Sequence, residues 1–397
     1  MFRRLSGAIW MVALGHFTLE LCHTFLPIVY PSLREQLGLS YAQIGLAAFV
    51  GTTTMAAGQP LFGYLADRWD ARRVAALSVL WLGVIMGLIG FVTSYPMLIA
   101  GVALAGFGSA AFHPAGASVV SGATSERKGA ALSIFAVGGN LGAALSPLLV
   151  ALGLAWFGLR GTIIIIPVAV LVGMGLLWGL AGQARYARRE TSLLERVGQG
   201  FALGVALLVV ASMARAWFQL TLMTYLPAWL ESKGATVVEG GQMLFIFSAA
   251  VGGGSLVGGA LSDRVGRWQV LLGSYALLGP AFWLYVHTGG LVQVVFLASQ
   301  GFLIGCTFPT TVVLAQELWP KGPALAAGWV MGPGWWPGGI GASFTGWLAD
   351  RTSLDAAMQW LILAPLVAAL ILCTLVLALR NWQARLETAT AGMARNA

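Results

Sequence analysis

Long apolar runs broken by short polar loops fill the chain from Ala8 to Leu379. Each run is near the ~20 residues an α-helix needs to cross a hydrocarbon core about 30 Å thick. The pattern predicts twelve spans. Six lie near Ala8–Tyr30, Ala42–Leu65, Val74–Val92, Pro96–Val120, Ala130–Leu154 and Gly161–Ala181. Six more lie near Gly200–Leu226, Gly241–Leu261, Gln269–Val286, Leu291–Leu314, Ala324–Leu348 and Ala356–Leu379. The longest interior polar stretch, 182–199, falls near the middle. The expected fold is therefore an all-α polytopic membrane protein of two six-helix, pseudo-symmetric bundles: residues 1–181, a linker over 182–199, and residues 200–397 with a short tail.

Composition agrees with the pattern. The 397 residues are 58% hydrophobic and 9% charged, against about 25% charged in soluble domains. So sparse a charge excludes an ordinary soluble or disordered protein, and three cysteines are too few for a disulfide scaffold. The net charge of +8 reads as loop asymmetry rather than as a nucleic-acid surface. Counted over alternate sides of the predicted spans, 17 Lys and Arg fall on the side of the termini and 4 on the other, with Arg215 inside a helix. Basic residues collect in cytoplasmic loops, so both termini are expected in the cytoplasm and the protein in the cell (inner) membrane. The apolar stretch after Arg3 and Arg4 is too long for a signal h-region and no small-residue cleavage site follows it. The first segment is expected to stay in the mature protein.

The halves repeat. Gly63-Tyr-Leu-Ala-Asp67-Arg68 follows span 2, and Gly259-Ala-Leu-Ser-Asp263-Arg264-Val-Gly266-Arg267 follows span 8, their aspartates 196 residues apart. Gly106-Phe107 and Pro114 in span 4 correspond to Gly301-Phe302 and Pro309 in span 10, 195 apart. A near-constant offset at separate landmarks indicates duplication, and parallel repeats about an axis along the membrane normal characterise one class of transporter.

These residues resemble the major facilitator superfamily. Its signature between helices 2 and 3 is Gly-x-x-x-Asp-Arg/Lys-x-Gly-Arg-Arg/Lys, with a weaker copy between 8 and 9. The first copy here keeps Gly63, Asp67, Arg68 and Arg72 but has Asp70 and Ala71 where Gly and Arg are usual. The second lacks only the last basic residue, replaced by Trp268. Leu14-Gly15-His16, Phe112-His113-Pro114 and Val137-Gly138-Gly139-Asn140 with Pro147 are similar to bacterial fosmidomycin-resistance-like efflux proteins. The resemblance implies rocker-switch transport of a small molecule, usually driven by protons, and does not fix the substrate.

Charged side chains at the centre of a bilayer cost about 2.5–3.5 kcal/mol on insertion scales and mark functional positions. Two lie deep in the spans. Glu20 is about 18 Å along span 1, and Arg215 about 22 Å along span 7, at ~1.5 Å rise per residue. His16, Glu20 and His23 are spaced i, i+4, i+7 and share a helix face. A carboxylate in low dielectric can carry a proton near neutral pH, and histidine titrates in the same range. Glu20 is thus the candidate proton-coupling acid, tuned by His16 or His23. The plainer reading is a structural polar network between helices.

Arg215, beside Trp217 and Gln219, offers a planar fork of donors to a carboxylate, phosphonate or phosphate. It reads as a substrate anchor or as a salt-bridge partner of Glu20. His113, next to the helix-kinking Pro114, reads equally as a substrate contact or as a cap on freed carbonyls; Asn140 is a further substrate-binding candidate. Gly138 and Gly142 recur with Ser146 every fourth residue before Pro147, a spacing that lets helices approach closely. This resembles the glycine-proline motif of helix 5 in proton antiporters, with Ser146 replacing the usual Gly, and plain close packing explains it as well. Trp335 and Trp336, between Pro333 and Pro337, are candidates to wall a cavity.

The loop residues Asp67, Arg68, Arg72, Asp263, Arg264 and Arg267 are expected to be conformational. Asp67 can accept hydrogen bonds from a facing helix N-terminus and pair with Arg68 or Arg72, holding the cytoplasmic side shut.

Enzyme chemistry finds little footing: His16-Glu20-His23 lacks the zincin order, and no Gly-x-x-x-x-Gly-Lys-Ser/Thr loop is present. No cofactor or metal is expected. The partners expected are a small-molecule substrate, protons and the lipid bilayer, with no nucleic acid, and the protein is expected to be a monomer. The function expected is proton-coupled efflux (antiport) of a small organic molecule or drug by alternating access, an anion being one candidate class. Proton-coupled uptake of a small organic anion is the alternative, and a membrane-embedded enzyme the remote one.

Overall fold

The computed structural model describes residues 6–123, 128–180, 203–318 and 336–374, with the isolated positions 330, 376 and 377. Among the described residues the chain is nearly all helix and contains no strand. The predicted linker 182–199, the chain after Leu377 and part of span 11, including Trp335, lie outside them.

The first span is broken into α1 (Gly7–His23) and α2 (Leu26–Leu37). Pro27 opens α2 and lacks the N–H that would continue the helix. The Thr24 hydroxyl at the break donates to the Glu20 carbonyl at 2.9 Å and lies 3.2 Å from the Ala143 carbonyl. The span outruns its expected end at Tyr30 and stops at Gly38, whose φ of 63° suits a residue without Cβ. α3 (Tyr41–Arg68) starts at a capping box of Ser40 and Gln43. α4 (Ala71–Gly87) ends in the 3₁₀ turn Ile89–Phe91. α5 (Tyr95–Gly122) and α6 (Lys128–Phe157) follow, and the 3₁₀ stretch Gly158–Ile164 leads into α7 (Ile165–Gly179).

The second set comprises α8 (Leu203–Glu231), α9 (Val237–Val265), α10 (Arg267–His287), α11 (Gly290–Leu318), α12 (Trp336–Arg351) and α13 (Leu354–Trp360). After a turn at 361–362 a helix resumes over 363–374. Span 12 was expected unbroken; Pro365 supplies no N–H and falls in the first turn of the resumed helix, where that loss is tolerated.

Eight helical runs among the described residues are long and apolar enough to cross a bilayer. One of them, Ile134–Gly179, holds spans 5 and 6 together. Spans 2 and 7 are single helices of 28 and 29 residues, α3 and α8.

Packing follows small residues. α1 lies against α6, α4, α7 and α5; α9, α10 and α11 pack together, as do α8 and α12. The Gly138–Gly142–Ser146 row of α6 meets the backbone of α1 at Ala13, Phe17 and Leu21 in the same order. A Cβ at Gly138 would strike the Ala13 carbonyl and one at Gly142 the Phe17 carbonyl. Ser146 instead donates its hydroxyl to the Leu21 carbonyl at 2.6 Å, which accounts for serine where glycine is usual.

Contacts between the two sets run through α3–α12, α6–α9 and α2–α8. Several cluster toward one end of the bundle, the face formed by the loops after spans 1, 3, 5, 7, 9 and 11, hereafter the odd-loop face. There Gly45 abuts Ala342 and Ser343, Gly339 abuts Phe49, and Gly241 abuts Pro147 and Ala151. Tyr225 of α8 places its hydroxyl 2.8 Å from the Tyr41 carbonyl and 3.0 Å from the Ala342 carbonyl, tying three helices.

Candidate functional site

α1 and α5 bring His16, Glu20 and His113 into one group. Nε2 of His16 is 3.8 Å and Nε2 of His113 3.5 Å from Oε1 of Glu20. The two histidine rings meet edge to face at 5.2 Å. Ser109, one turn before His113 on α5, places its hydroxyl 3.2 Å from His113 Nε2.

The tautomer of His16 is fixed by a neighbour. Its Nδ1 lies 2.8 Å from the carbonyl oxygen of Phe135, an atom that only accepts. Nδ1 therefore carries a hydrogen, and in the neutral ring Nε2 presents a lone pair toward Glu20. The ring is held in that plane by stacking on Phe135 at 4.1 Å, with Phe112 at 5.6 Å. Gly139 of α6 leaves the space the ring occupies, since a Cβ there would collide with it. At 3.8 Å the lone pair and the carboxyl face each other without a direct hydrogen bond.

His23 is not part of this group, whose ligating atoms all lie within 4.8 Å. The i, i+4 relation thus placed His16 correctly beside Glu20, while the second imidazole comes from α5 rather than from α1. Ser109 was legible one turn before His113; the Phe135 carbonyl had no sequence signal. Two imidazoles and a carboxylate are also a set of donors that transition metals accept, and these three residues are the ones that would hold such an ion.

Arg215 is placed elsewhere. It is 2% exposed on α8, donating from Nη1 to Gln219 Oε1 at 2.8 Å, with its guanidinium 5.7 Å from the Phe308 ring of α11. Among the described residues no ion pair joins it to Glu20, whose ionic partners are the two histidines. Trp217 turns toward α12: its indole N–H donates to Thr345 Oγ1 at 3.2 Å and its ring packs on Gly341 and Phe344. Trp336 reaches across the sets, donating to Thr53 Oγ1 at 2.9 Å. Asn140 is exposed on α6, next in sequence to the glycine that seats His16, with Gly252 of α9 alongside.

At the signature loops, the side chains of Asp67 and Arg68 lie outside the described set. Arg72 forms a two-pronged bridge to Asp70, Nε to Oδ1 at 2.9 Å and Nη2 to Oδ2 at 2.8 Å, and reaches the Leu180 carbonyl at 3.3 Å. Asp70 also caps α4. The residue that departs from the signature thus supplies Arg72 with a carboxylate of its own. In the second copy Arg267 lies 3.4 Å from Asp263 and pairs with Glu317 at the end of α11, a partner the sequence did not single out; Arg264 is exposed.

Long apolar helices carrying a partly buried ionisable cluster fit a multi-pass membrane protein with a polar site among its spans. A family model for the Major Facilitator Superfamily matches residues 12–324, and the chain belongs to that family. It is 26% identical over 378 residues to the fosmidomycin resistance protein of Escherichia coli (strain K12), covering 92% of this chain and 91% of that one. It is 28% identical over 375 residues to the uncharacterised MFS-type transporter YfnC of Bacillus subtilis (strain 168), covering 91% and 90%. Among solved structures it is similar in fold to a bacterial homologue of the human lysosomal transporter Spinster in an inward-facing and occupied conformation. That likeness has a TM-score of 0.80 at 15% identity over 93% of this chain and 96% of the other. The chain is thus a secondary transporter and not an enzyme.

Proposed function

We propose that the protein is a proton-coupled exporter of small anionic organic molecules, working by alternating access between two six-helix halves with both termini in the cytoplasm. The observation that carries this reading is the Glu20 carboxyl facing two imidazole nitrogens within 4 Å, one of fixed tautomer. Such a group gains or loses one proton with little rearrangement, because each partner is already in place.

In the cycle, Glu20 takes up a proton from outside, the halves rock, and substrate arriving from the cytoplasm displaces that proton. Arg215 is the anion anchor, with the Gln219 amide oxygen as the acceptor that the substrate's anionic group replaces. The similarity to a fosmidomycin resistance protein supports export and makes phosphonates the first compounds to try.

The test is expression in a fosmidomycin-sensitive bacterial host. Export predicts lower intracellular drug and higher tolerance with the wild-type chain, both lost with Glu20→Gln. Higher intracellular drug in expressing cells would reverse the direction to uptake. An unchanged level across a panel of phosphonates, phosphates and carboxylates would reject the anionic substrate class.

A further inference from the structure

The first backbone N–H groups of a helix have no partner within the helix. In α3 each of the first four finds one. Gln43 N–H donates to the Ser40 hydroxyl at 3.2 Å and, at the N-cap, Ser40 N–H donates to Gln43 Oε1 at 2.9 Å. The other two come from far along the chain: Tyr41 N–H donates to Oδ1 and Ala42 N–H to Oδ2 of Asp350, each at 2.8 Å. Asp350 sits at the end of α12, 309 residues away from Tyr41 and in the other set of helices.

The sequence around it is a further observation. Residues 346–351 read Gly-Trp-Leu-Ala-Asp-Arg, and residues 63–68 at the end of α3 read Gly-Tyr-Leu-Ala-Asp-Arg. α3 and α12 run antiparallel, with Tyr41 beside Gly346, Gly45 beside Ser343, Phe49 beside Gly339 and Thr53 beside Trp336. The two hexapeptides therefore end on opposite faces of the bundle.

We propose that Asp350 is a reversible latch: by capping α3 across the two sets, its carboxylate holds the odd-loop face shut in this state and releases when that face opens. It does there what Asp67 is expected to do at the face of the termini. The negative carboxylate lies at the positive end of the α3 dipole, and its two bonds fix the approach of α12 in direction as well as distance. Asp350 is exposed, so water replaces both bonds on opening. The latch biases an equilibrium rather than locking it. The inference rests on the alternating-access reading above.

The test is a spin-label distance measurement on the full-length protein in lipid nanodiscs. Labels are placed at Thr93→Cys and Gly289→Cys, two open positions on odd loops of different sets, with exposed Cys373→Ser. Loss of a capping side chain predicts a rise of about fivefold in the ratio of long to short distances for Asp350→Ala. Asp350→Asn keeps one acceptor and shifts the ratio less in the same direction; it carries the test if the alanine variant does not fold. Asp355→Ala is the control, because its bonds to Trp229 and Lys233 stay within the second set, and it leaves the ratio at the wild-type value. A wild-type ratio in Asp350→Ala, or an equal shift in Asp355→Ala, overturns the latch. A wild type that populates both distances while the Asp350 variants match it sinks the latch alone. Absence of the long distance from every protein at every pH sinks alternating access with it.

Discussion

Nε2 of His113 on α5 lies 3.5 Å from Oε1 of Glu20 on α1, joining two helices whose sequences are some ninety positions apart through one carboxyl group. With His16 Nε2 3.8 Å from the same oxygen, the carboxyl has a nitrogen partner from each helix. In the proposed cycle this makes His113 part of the group that handles the proton. His113→Gln is expected to leave substrate recognition by Arg215 in place and to change the pH dependence of transport. A pH profile matching wild type would return His113 to a structural role.

His16 is the oriented member. Its hydrogen bond to the Phe135 carbonyl is worth about 1 kcal/mol in stability, the usual net value of a buried bond. His16→Ala is expected to lose that amount and the ring stacking with it, so that thermal unfolding in detergent shifts downward. His16→Gln, which can still donate to the carbonyl, is expected to recover part of the stability but none of the proton coupling.

Close approach of α1 and α6 depends on the absence of side chains. Gly142→Val puts a Cβ into the Phe17 carbonyl, and overpacking of this kind costs about 1–3 kcal/mol. Gly175 of α7 has open space where a Cβ would go. Gly175→Ala is expected to be neutral or to raise stability by up to about 1 kcal/mol through helix propensity. Parallel unfolding curves for the two variants check the contrast.

Arg215→Lys separates charge from shape. Lysine keeps the positive charge but not the planar fork that meets Gln219 and, in the proposed cycle, the substrate. Weaker substrate binding by direct titration is expected, with the proton response of the Glu20 group retained. Full binding would show that a point charge suffices and that the fork has no role.

The helices were legible because apolar runs of membrane length leave few alternatives. Glu20 and Arg215 were legible for the same reason: a charge in such a run stands out. Gln219, one turn from Arg215, and Ser109, one turn from His113, were legible from helical spacing, whereas Phe135 becomes the neighbour of His16 only when helix faces are set by packing. The break at Thr24, ahead of Pro27, and the turn at 361–362, ahead of Pro365, show proline dividing spans that hydropathy alone draws as continuous. At Asp70, where the family signature has Gly, the structure shows a carboxylate gripping Arg72, a pairing the signature does not contain. Spacing along one helix gave His16 and also His23; only the tertiary fold distinguishes the imidazole that reaches Glu20 from the one that does not join the group.

The central claim is that Glu20 carries the coupled proton, and proton movement tests it most directly. Everted vesicles with an acidic lumen, loaded with a pH-sensitive dye, would receive fosmidomycin and related anions. The account predicts substrate-dependent lumenal alkalinisation with the wild-type chain and none with Glu20→Gln at equal expression. Alkalinisation of equal rate and extent in Glu20→Gln would contradict it.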